Sequence, residues 1–572
     1  MAREWTNFFA FFCKLTVQSL ILCAVTCGNS FVTDSILTPQ TPAPADYYQN
    51  NFCSVFEFVL GRFKGIASDQ LTKDLKSYLD ASGDSQRLFA RLLTRKGPTF
   101  LISSLAYAEI AELDVAIEEL SALDLLQYSP GVPADQILAV LTKAQLIDYF
   151  SVPSALTKSS KVAIIEHLLS HNSDLQICHR CQQRTRWLTI TAPDHWRLVN
   201  FLYFGNSGQD WSTFVRRDLG LLAYETVALQ SQQFATRQIL DAYLEEKEYA
   251  NLIYRLDEFP NLAEPLLAVL VGDHQTAGLL GQRQRLRQRS LLRLAKWAER
   301  EKRLDYALVA YACVDTPPAR ERRVRILTKA NNIHEANRLL AEIEQSPRSA
   351  TERLFAERFG KRGGGYQPPT TTIEIDETPE SVEDYVLLEL IQDGGWGVHS
   401  ENLMLKTLTG LIYWPICFAP IPGAFTNPFQ SGPQDLYAAD FFTHRKEAIE
   451  DLEASLSLEA DFFAHITQIA NAKRGIANRL VSWGLLESIP VDEWLSAIPF
   501  AQLQQLSQFL IRNLTEYRRG FPDLFICYAT GAVEFVEVKG PSDQLQPQQR
   551  AWFEEFNRME VPARVVKLQL TK

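Results

Sequence analysis

The chain has 572 residues, 46% of them hydrophobic and 22% charged, with Gly and Pro at ordinary levels, which excludes a disordered or fibrous protein and calls for roughly two to four domains. A formal net charge of -11 excludes a protein that coats nucleic acid with its whole surface. It leaves room for a local basic groove, because salt confines surface charges to about 8–10 Å.

The nine Cys, spread from Cys13 to Cys527, lack the dense spacing of a secreted disulfide scaffold and point to a reducing compartment. The apolar run Phe8 to Cys27 is interrupted by Lys14 and Gln18, whereas a spanning helix needs about 20 nearly uncharged residues, so it reads as non-targeting. Folded-domain character begins only after the Pro-rich stretch Thr38 to Pro44. Residues 1–45 are therefore expected to be an extension, or the mark of a start placed too early.

From Asp46 to about His171, apolar residues recur at three- and four-residue spacing, in Phe52 to Phe63 and again in Ile110 to Leu126. Residues 46–200 are expected to form a helical module that binds DNA. Within it Arg87, Arg91 and Arg95 fall four apart, opposite Phe89 and Leu93, with Lys96 following. Such a stripe either grips phosphates or is a solvated helix face. Cys178 and Cys181 form the sole CxxC; a structural zinc site needs a second ligand pair, so the two are read as thiols in a helical connection.

Residues 201–360 continue the helical period with hardly a strand signal. Leu291 to Arg300, Leu304 to Tyr311, Ala319 to Ala330 and Ile333 to Ile343 repeat small-plus-large packing, Ala307 with Tyr311 and Ala336 with Leu340, as tetratricopeptide-like units do. Between Gly281 and Arg303 nine Lys or Arg, among them Arg285, Arg289 and Arg293, face two Glu. That stretch is either a path for duplex or flap DNA or the polar outer face of a solenoid. The turn-rich run from Lys361 to Thr372 marks a linker over 361–380.

Residues 381–572 change character. Helical stretches give way near Arg518 to two strand-like runs, Leu524 to Tyr528 and Val533 to Lys539, joined by a hairpin connection at Ala529 to Ala532. A helix is expected from about Pro547 to Met559 and a last strand from Ala563 to Leu570. Glu537 and Lys539, two apart on a strand, project to one face while Val536 and Val538 take the other. Asp523 opens the partner strand and returns beside Glu537. Phosphodiester hydrolysis needs such a group: a hard divalent cation takes the oxygens of Asp523 and Glu537 and the backbone carbonyl of Val538, and Lys539 orients the attacking hydroxide or meets the transition-state charge. A surface Glu and Lys on an amphipathic hairpin have the same bare spacing. The conjunction of Pro-Asp, an apolar-flanked Glu-Val-Lys and a following Gly-Pro is far rarer.

Arg518-Arg-Gly-Phe-Pro-Asp523 and Val536-Glu-Val-Lys-Gly-Pro-Ser-Asp543, then Gln549 and Trp552, resemble the virus-type replication-repair nuclease (VRR-NUC) domain of the PD-(D/E)xK superfamily. Gly395-Trp-Gly-Val-His-Ser-Glu401, Thr407 to Trp414 and Asp440 to Arg445 are similar to the Fanconi-associated nuclease family, and the likeness covers most of the chain. It extends to the helical front and to the Tyr47 to Phe52 opening, where bacterial members begin.

The resemblance implies a structure-specific DNA nuclease with 5′-flap endonuclease and 5′ to 3′ exonuclease activity, acting with Mg²⁺ or Mn²⁺ in interstrand crosslink repair. It makes Glu401 the third acid of the metal set and places Gln549 near the metal. On spacing alone, Glu401 at a helix start serves the dipole and capping equally well. Some members carry a Lys before that Gln to hold a 5′ phosphate, where this chain has Gln548; Arg518 and Arg519 are candidates for part of that contact.

The expected architecture is multi-domain α plus α/β: a helical DNA-binding module, a tetratricopeptide-like helical middle and a restriction-endonuclease-like α/β nuclease domain. Branched or flap DNA is the expected partner, with repair proteins beside it, no small-molecule cofactor, no membrane, and a bacterial cytoplasmic, nucleoid-associated location. The rival readings are a helical-repeat adaptor whose nuclease-like domain does not cleave, and a Holliday-junction or RNA nuclease.

Overall fold

The computed structural model describes residues 47–206, 209–214, 222–229, 234–276, 281–361 and 366–571; the expected N-terminal extension lies outside them. The chain divides into two compact units, 1–223 and 224–572.

The first unit is built of short helices started by side-chain caps. Ser68, Ser82, Ser160 and Ser173 each accept a backbone N–H of the first turn, and Thr142 with Gln145 and Ser173 with Gln176 close capping boxes. Tyr47–Arg62, Asp69–Asp80, Gly83–Leu93 and Pro193–Phe204 enclose a core that includes Phe52, Phe56, Tyr78, Phe89 and Trp196. A sheet not expected from the periodicity lies among them: β1 (Thr99–Leu101), β2 (Leu126–Tyr128) and β3 (Trp187–Ile190) pair antiparallel in the order β1-β3-β2. Strands of three and four residues are too short to show a period of two.

The unit also runs past the expected limit at residue 200. Trp211 packs on Phe52 with centroids 4.8 Å apart, and Phe214 lies 5.8 Å from Tyr203, so these aromatics belong to the same body. Cys178 and Cys181 sit as free thiols on the buried side of the helix Asp174–Gln182, Cys178 Sγ donating to the Val132 carbonyl at 3.1 Å.

In the second unit Arg237–Tyr254, Ala263–Thr276, Gly281–Arg300, Leu304–Ala312, Ala319–Lys329, Ile333–Gln345 and Ala350–Arg358 follow one another, most packing on a neighbour in sequence as in a solenoid. Buried ion pairs tie them. Arg287 meets Glu246 with both buried, and Arg320 meets Glu352 at 2.5 Å.

This helical middle and the nuclease region form one compact body, contrary to a linker at 361–380. Glu516 accepts the backbone N–H of Ala350 and Thr351, capping the last solenoid helix, and Arg353 reaches Glu554 at 2.5 Å. Part of the expected linker is strand: β4 (Thr370–Ile375) lies parallel to β8 (Ala563–Leu570). Its β-branched Thr and Ile suit a strand, but the Gly and Pro before them masked the signal.

The sheet order is β4-β8-β7-β6-β5, with β5 at Trp396–His399, β6 at Leu524–Cys527 and β7 at Val533–Lys539. The expected hairpin is present, Leu524 facing Val536 across it. Both faces are covered. Val536, Val538, Leu524, Ile526, Val566 and Leu568 pack beneath Val382–Leu390, while Val533, Phe535 and Phe525 join Trp552, Phe556 and Leu408 in the larger core. The alternation along β7 therefore places Glu537 on the face of the large core, at the end where that core opens.

Candidate active site

Three elements converge at the C-terminal end of β7. Asp523 precedes β6 and is held by the strand beside it, Val538 N–H donating to its Oδ2 at 2.8 Å. Glu537 is fully buried, and its Oε1 accepts Lys539 Nζ at 2.6 Å and the Gln549 amide nitrogen. Gln549 sits in the first turn of Pro547–Arg558, where its Oε1 accepts the Gln546 backbone N–H at 2.8 Å. One amide thus closes the helix start and turns its donor onto the acid.

The approach of that helix depends on Gly520. At φ +85° it occupies the left-handed region, and a Cβ there would stand 2.8 Å from the Gln548 backbone and 2.9 Å from the Gln549 nitrogen. Phe521 N–H donates to Asn402 Oδ1 at 3.2 Å, and Ser400 Oγ donates to the Pro522 carbonyl at 2.8 Å. These contacts join the Gly-Phe-Pro-Asp turn to the segment that carries Glu401.

The electrostatics are those of a site short of positive charge. Burial, and then the neighbouring Asp523, push the Glu537 carboxyl up to about 8. Burial also raises Asp523, against the pull of the Val538 N–H and Lys539. Glu537 Oε2 is buried and no nitrogen donates to it, while the two carboxyls lie within hydrogen-bond reach of each other, so that one proton can sit between them. A buried and a half-buried carboxyl side by side, the first with an oxygen that no protein nitrogen reaches and no thiol or imidazole among them, fit a hard divalent cation. Glu401 is exposed; its backbone N–H donates to the Asp523 carbonyl at 3.3 Å and its charge acts on Asp523. Among the described residues no three His, Cys, Asp or Glu side chains close to ligating distance, so the preformed part of the set is the pair Asp523 and Glu537 with Lys539 and Gln549.

Residues 459–569 match the VRR-NUC domain family, and residues 46–127 match the FAN1 HTH domain. Over 558 residues the chain is 30% identical to a Fanconi-associated nuclease 1 homolog of Pseudomonas aeruginosa, covering 92% of this chain and 96% of that one. The chain belongs to the Fanconi-associated nuclease family. Its human relative, Fanconi-associated nuclease 1, aligns over 210 residues at 31% identity, 35% of this chain and 20% of that one. The crystal structure of paFAN1 bound to 2nt 5′ flap DNA with gap superposes with a TM-score of 0.82 at 28% identity, covering 93% of this chain and all of the other.

This Fanconi-associated nuclease is thus a hydrolase of phosphodiester bonds that depends on a divalent metal, and the expected class of fold is the observed one. Among the described residues no helix is long and apolar enough to cross a membrane.

The expected DNA-contact residues fall in three settings. On Gly83–Leu93, Arg87 pairs with Asp84 at 2.5 Å and Arg91 with Glu109 at 2.6 Å while lying over the Tyr48 ring; the helix ends before Arg95 and Lys96, contrary to a single face carrying all three arginines, and in the turn that follows Arg95 bonds Tyr107 and Lys96 is exposed. On Gly281–Arg300, Arg289 and Arg293 are exposed and Arg285 half-buried, one face of the helix, while Arg287 and Arg283 turn to Glu246. Arg518 and Arg519 lie in the turn before Asp523, with two residues the sequence pattern did not mark, Lys406 and Arg479, within electrostatic reach.

Proposed function

We propose that this nuclease cleaves 5′-flap and related branched DNA, with 5′ to 3′ exonuclease activity, in the repair of interstrand crosslinks in the bacterial cytoplasm, at the nucleoid and alongside repair-protein partners. The observation that carries the chemistry is the half-buried Asp523 beside the buried Glu537, whose Oε1 takes the Lys539 ammonium and the Gln549 amide while its Oε2 is left without a nitrogen donor. The likeness to paFAN1, crystallised on a flap, supports the substrate class.

Asp523, Glu537, the Val538 carbonyl and Glu401 would hold Mg²⁺ or Mn²⁺, which when bound neutralises charge at the scissile phosphate and acidifies water. Lys539, anchored on Glu537, keeps an N–H⁺ at the edge of the pair, where it orients the attacking oxygen and meets the charge of the pentacoordinate state. Gln549 fixes the Glu537 carboxylate so that its free oxygen faces the reaction.

Arg285, Arg289 and Arg293 offer backbone phosphates a stripe on one helix face, and Arg95 with Lys96 a second contact in the first unit. Arg87 and Arg91 would reach DNA by exchanging an internal carboxylate for a phosphate.

The test compares a labelled 5′-flap duplex, a four-way junction and single-stranded RNA under Mg²⁺ and Mn²⁺. The flap is expected to release short fragments, with Asp523→Ala binding it and leaving it intact. Absence of cleavage under every divalent metal would return the chain to an adaptor, and a preference for junction or RNA would replace the substrate.

A further inference from the structure

The segment that carries Glu401 is locked onto the turn that carries Asp523. The Ser400 and Glu401 N–H groups both donate to the Asp523 carbonyl, at 2.7 and 3.3 Å, and the Ser400 hydroxyl donates to the Pro522 carbonyl. Asn402 sits in the left-handed region at φ +54°, which a residue with a side chain adopts at a cost, and there its Oδ1 accepts the Phe521 N–H. Leu403 N–H closes the turn on the Ser400 carbonyl at 2.9 Å, and the Leu403 carbonyl accepts the Thr407 N–H as the Met404–Ile412 helix begins.

What this rigid turn presents is apolar. Met404, Leu405, Leu408, Leu411 and Ile412 on the helix are at most 2% exposed, whereas Leu403 is 44% exposed. Its direction follows from the helix. Residues three apart share a face, and Lys406, one turn on, lies within electrostatic reach of Glu401, Arg518 and Arg519. Leu403 thus stands on the side of the helix that faces the acids, two residues from Glu401. A lone exposed leucine is commonplace on a protein surface. One fixed by its own hydrogen-bonded turn at the rim of a polar site is placed for an apolar group of the ligand.

The recess beside it indicates which group. Glu537 is fully buried, so a phosphate must be drawn in to reach it, and in a duplex the backbone phosphates are flanked by stacked bases. Drawing one in unstacks its nucleotide, and DNA-binding proteins offset that cost by setting an apolar side chain where the neighbouring base was. We propose that Leu403 is such a wedge: it packs against the nucleobase beside the scissile phosphate and holds that nucleotide out of its stack. The wedge rests on the nuclease reading and adds to it how the substrate strand is presented. It makes ease of unstacking, and not base identity, the property selected at the cut.

The experiment is single-turnover cleavage of two 5′-flap duplexes, one fully paired at the junction and one mismatched there. Leu403→Ala is expected to cut the paired flap about 10-fold more slowly than wild type and the mismatched flap at close to the wild-type rate. Leu403→Met, which keeps an apolar side chain of similar size, is expected to cut both as wild type does. Leu388→Ala removes an exposed leucine from the Val382–Leu390 helix on the opposite face of the sheet and is expected to leave both rates unchanged. Wild-type cleavage of the paired flap by Leu403→Ala would overturn the wedge, as would an equal loss in Leu388→Ala. A loss of the same size on both flaps would also overturn it, since Leu403 would then support Glu401 and not the base. If the wild type cleaves neither flap, the nuclease reading fails, and 2-aminopurine at the junction still decides the wedge in Ca²⁺. Fluorescence that rises on binding wild type but not Leu403→Ala keeps it, and an equal rise with both removes it.

Discussion

Two regions of the second unit bury carboxylates, and they treat them differently. In the solenoid, Glu246 accepts from Arg287 on both oxygens and from Arg283, and Arg287 spends its remaining nitrogen on the Leu270 carbonyl. Glu352 is closed in the same way by Arg320 and by the Arg348 N–H. Around Glu537 both donors crowd onto Oε1, and Oε2 is left with none. A buried acid that serves the fold is saturated from within, because an unpaired charge there is expensive. One that serves a reaction keeps a lone pair open for a group the chain itself does not supply.

The strongest way to break this comparison is to remove both kinds of acid. Glu537→Gln is expected to lower single-turnover cleavage by on the order of a hundred- to a thousandfold or more, as is Asp523→Ala, while thermal unfolding in EDTA stays level or moves upward. Arg287→Met is expected to do the reverse. It leaves Glu246 buried without its main partner, at a cost of about 3–5 kcal/mol in denaturant unfolding, and the folded fraction keeps its specific activity. A stability loss in Glu537→Gln as large as that in Arg287→Met would erase the distinction.

Proton linkage sharpens the comparison further. Glu537 has its folded pKa raised to about 8, above its unfolded value, so the folded metal-free protein holds a proton that the unfolded chain has lost. Stability in EDTA is therefore present in full below the unfolded pKa and declines as pH rises toward 8, by at most about 1.4 kcal/mol per unit. Divalent binding displaces that proton, so affinity is expected to rise with pH up to about 8 and protons to be released, both readable by calorimetry in buffers of different ionisation enthalpy. A metal affinity that is flat between pH 6 and 8 would argue that the pair is already ionised.

The sequence carried the pieces whose signal is local. The hairpin of β6 and β7, the helix from Pro547 and the closing strand β8 follow from alternation and turn chemistry, and Asp523, Glu537 and Lys539 from their place on them. β5 was hidden because Gly395 and Gly397 dilute its pattern, though the sheet uses the absent side chains: a Cβ at Gly395 would stand 2.5 Å from the Cys527 carbonyl. Lys406 and Arg479 were invisible because their neighbours are set by tertiary packing at Gly410. The basic run at Gly281 to Arg303 looked uniform, yet burial divides it into Arg287, which holds the solenoid together, and the exposed Arg289 and Arg293. A count of charges cannot show which have partners.

A gentler perturbation concerns the amide that steers Glu537. Gln549→Leu keeps size and helix propensity but loses both the bond to Glu537 and the bond to the Gln546 N–H. Divalent affinity is expected to fall about 10- to 100-fold, with cleavage recovered at saturating metal. Loss that saturating metal does not recover would move Gln549 from support of the ligand to the reaction itself.

The smallest effect is expected where basic residues are already satisfied. Arg91 is held by Glu109, which also accepts the Tyr48 hydroxyl at 2.9 Å, and Arg87 is held by Asp84 and by Gln49 at 3.0 Å. Substituting Arg91 by Gln removes a partly exposed pair, which is worth about 0.2–1 kcal/mol of stability, and takes little from DNA affinity because that charge is spent internally. Glu109→Gln is the more telling change, since it releases Arg91 without deleting it. If this helix lies along a phosphate backbone, the released guanidinium raises flap affinity and steepens the salt dependence. Unchanged binding in both variants would assign the stripe to the interior electrostatics of the first unit, leaving Arg95 and Lys96, in the turn after that helix, as the contacts to test next.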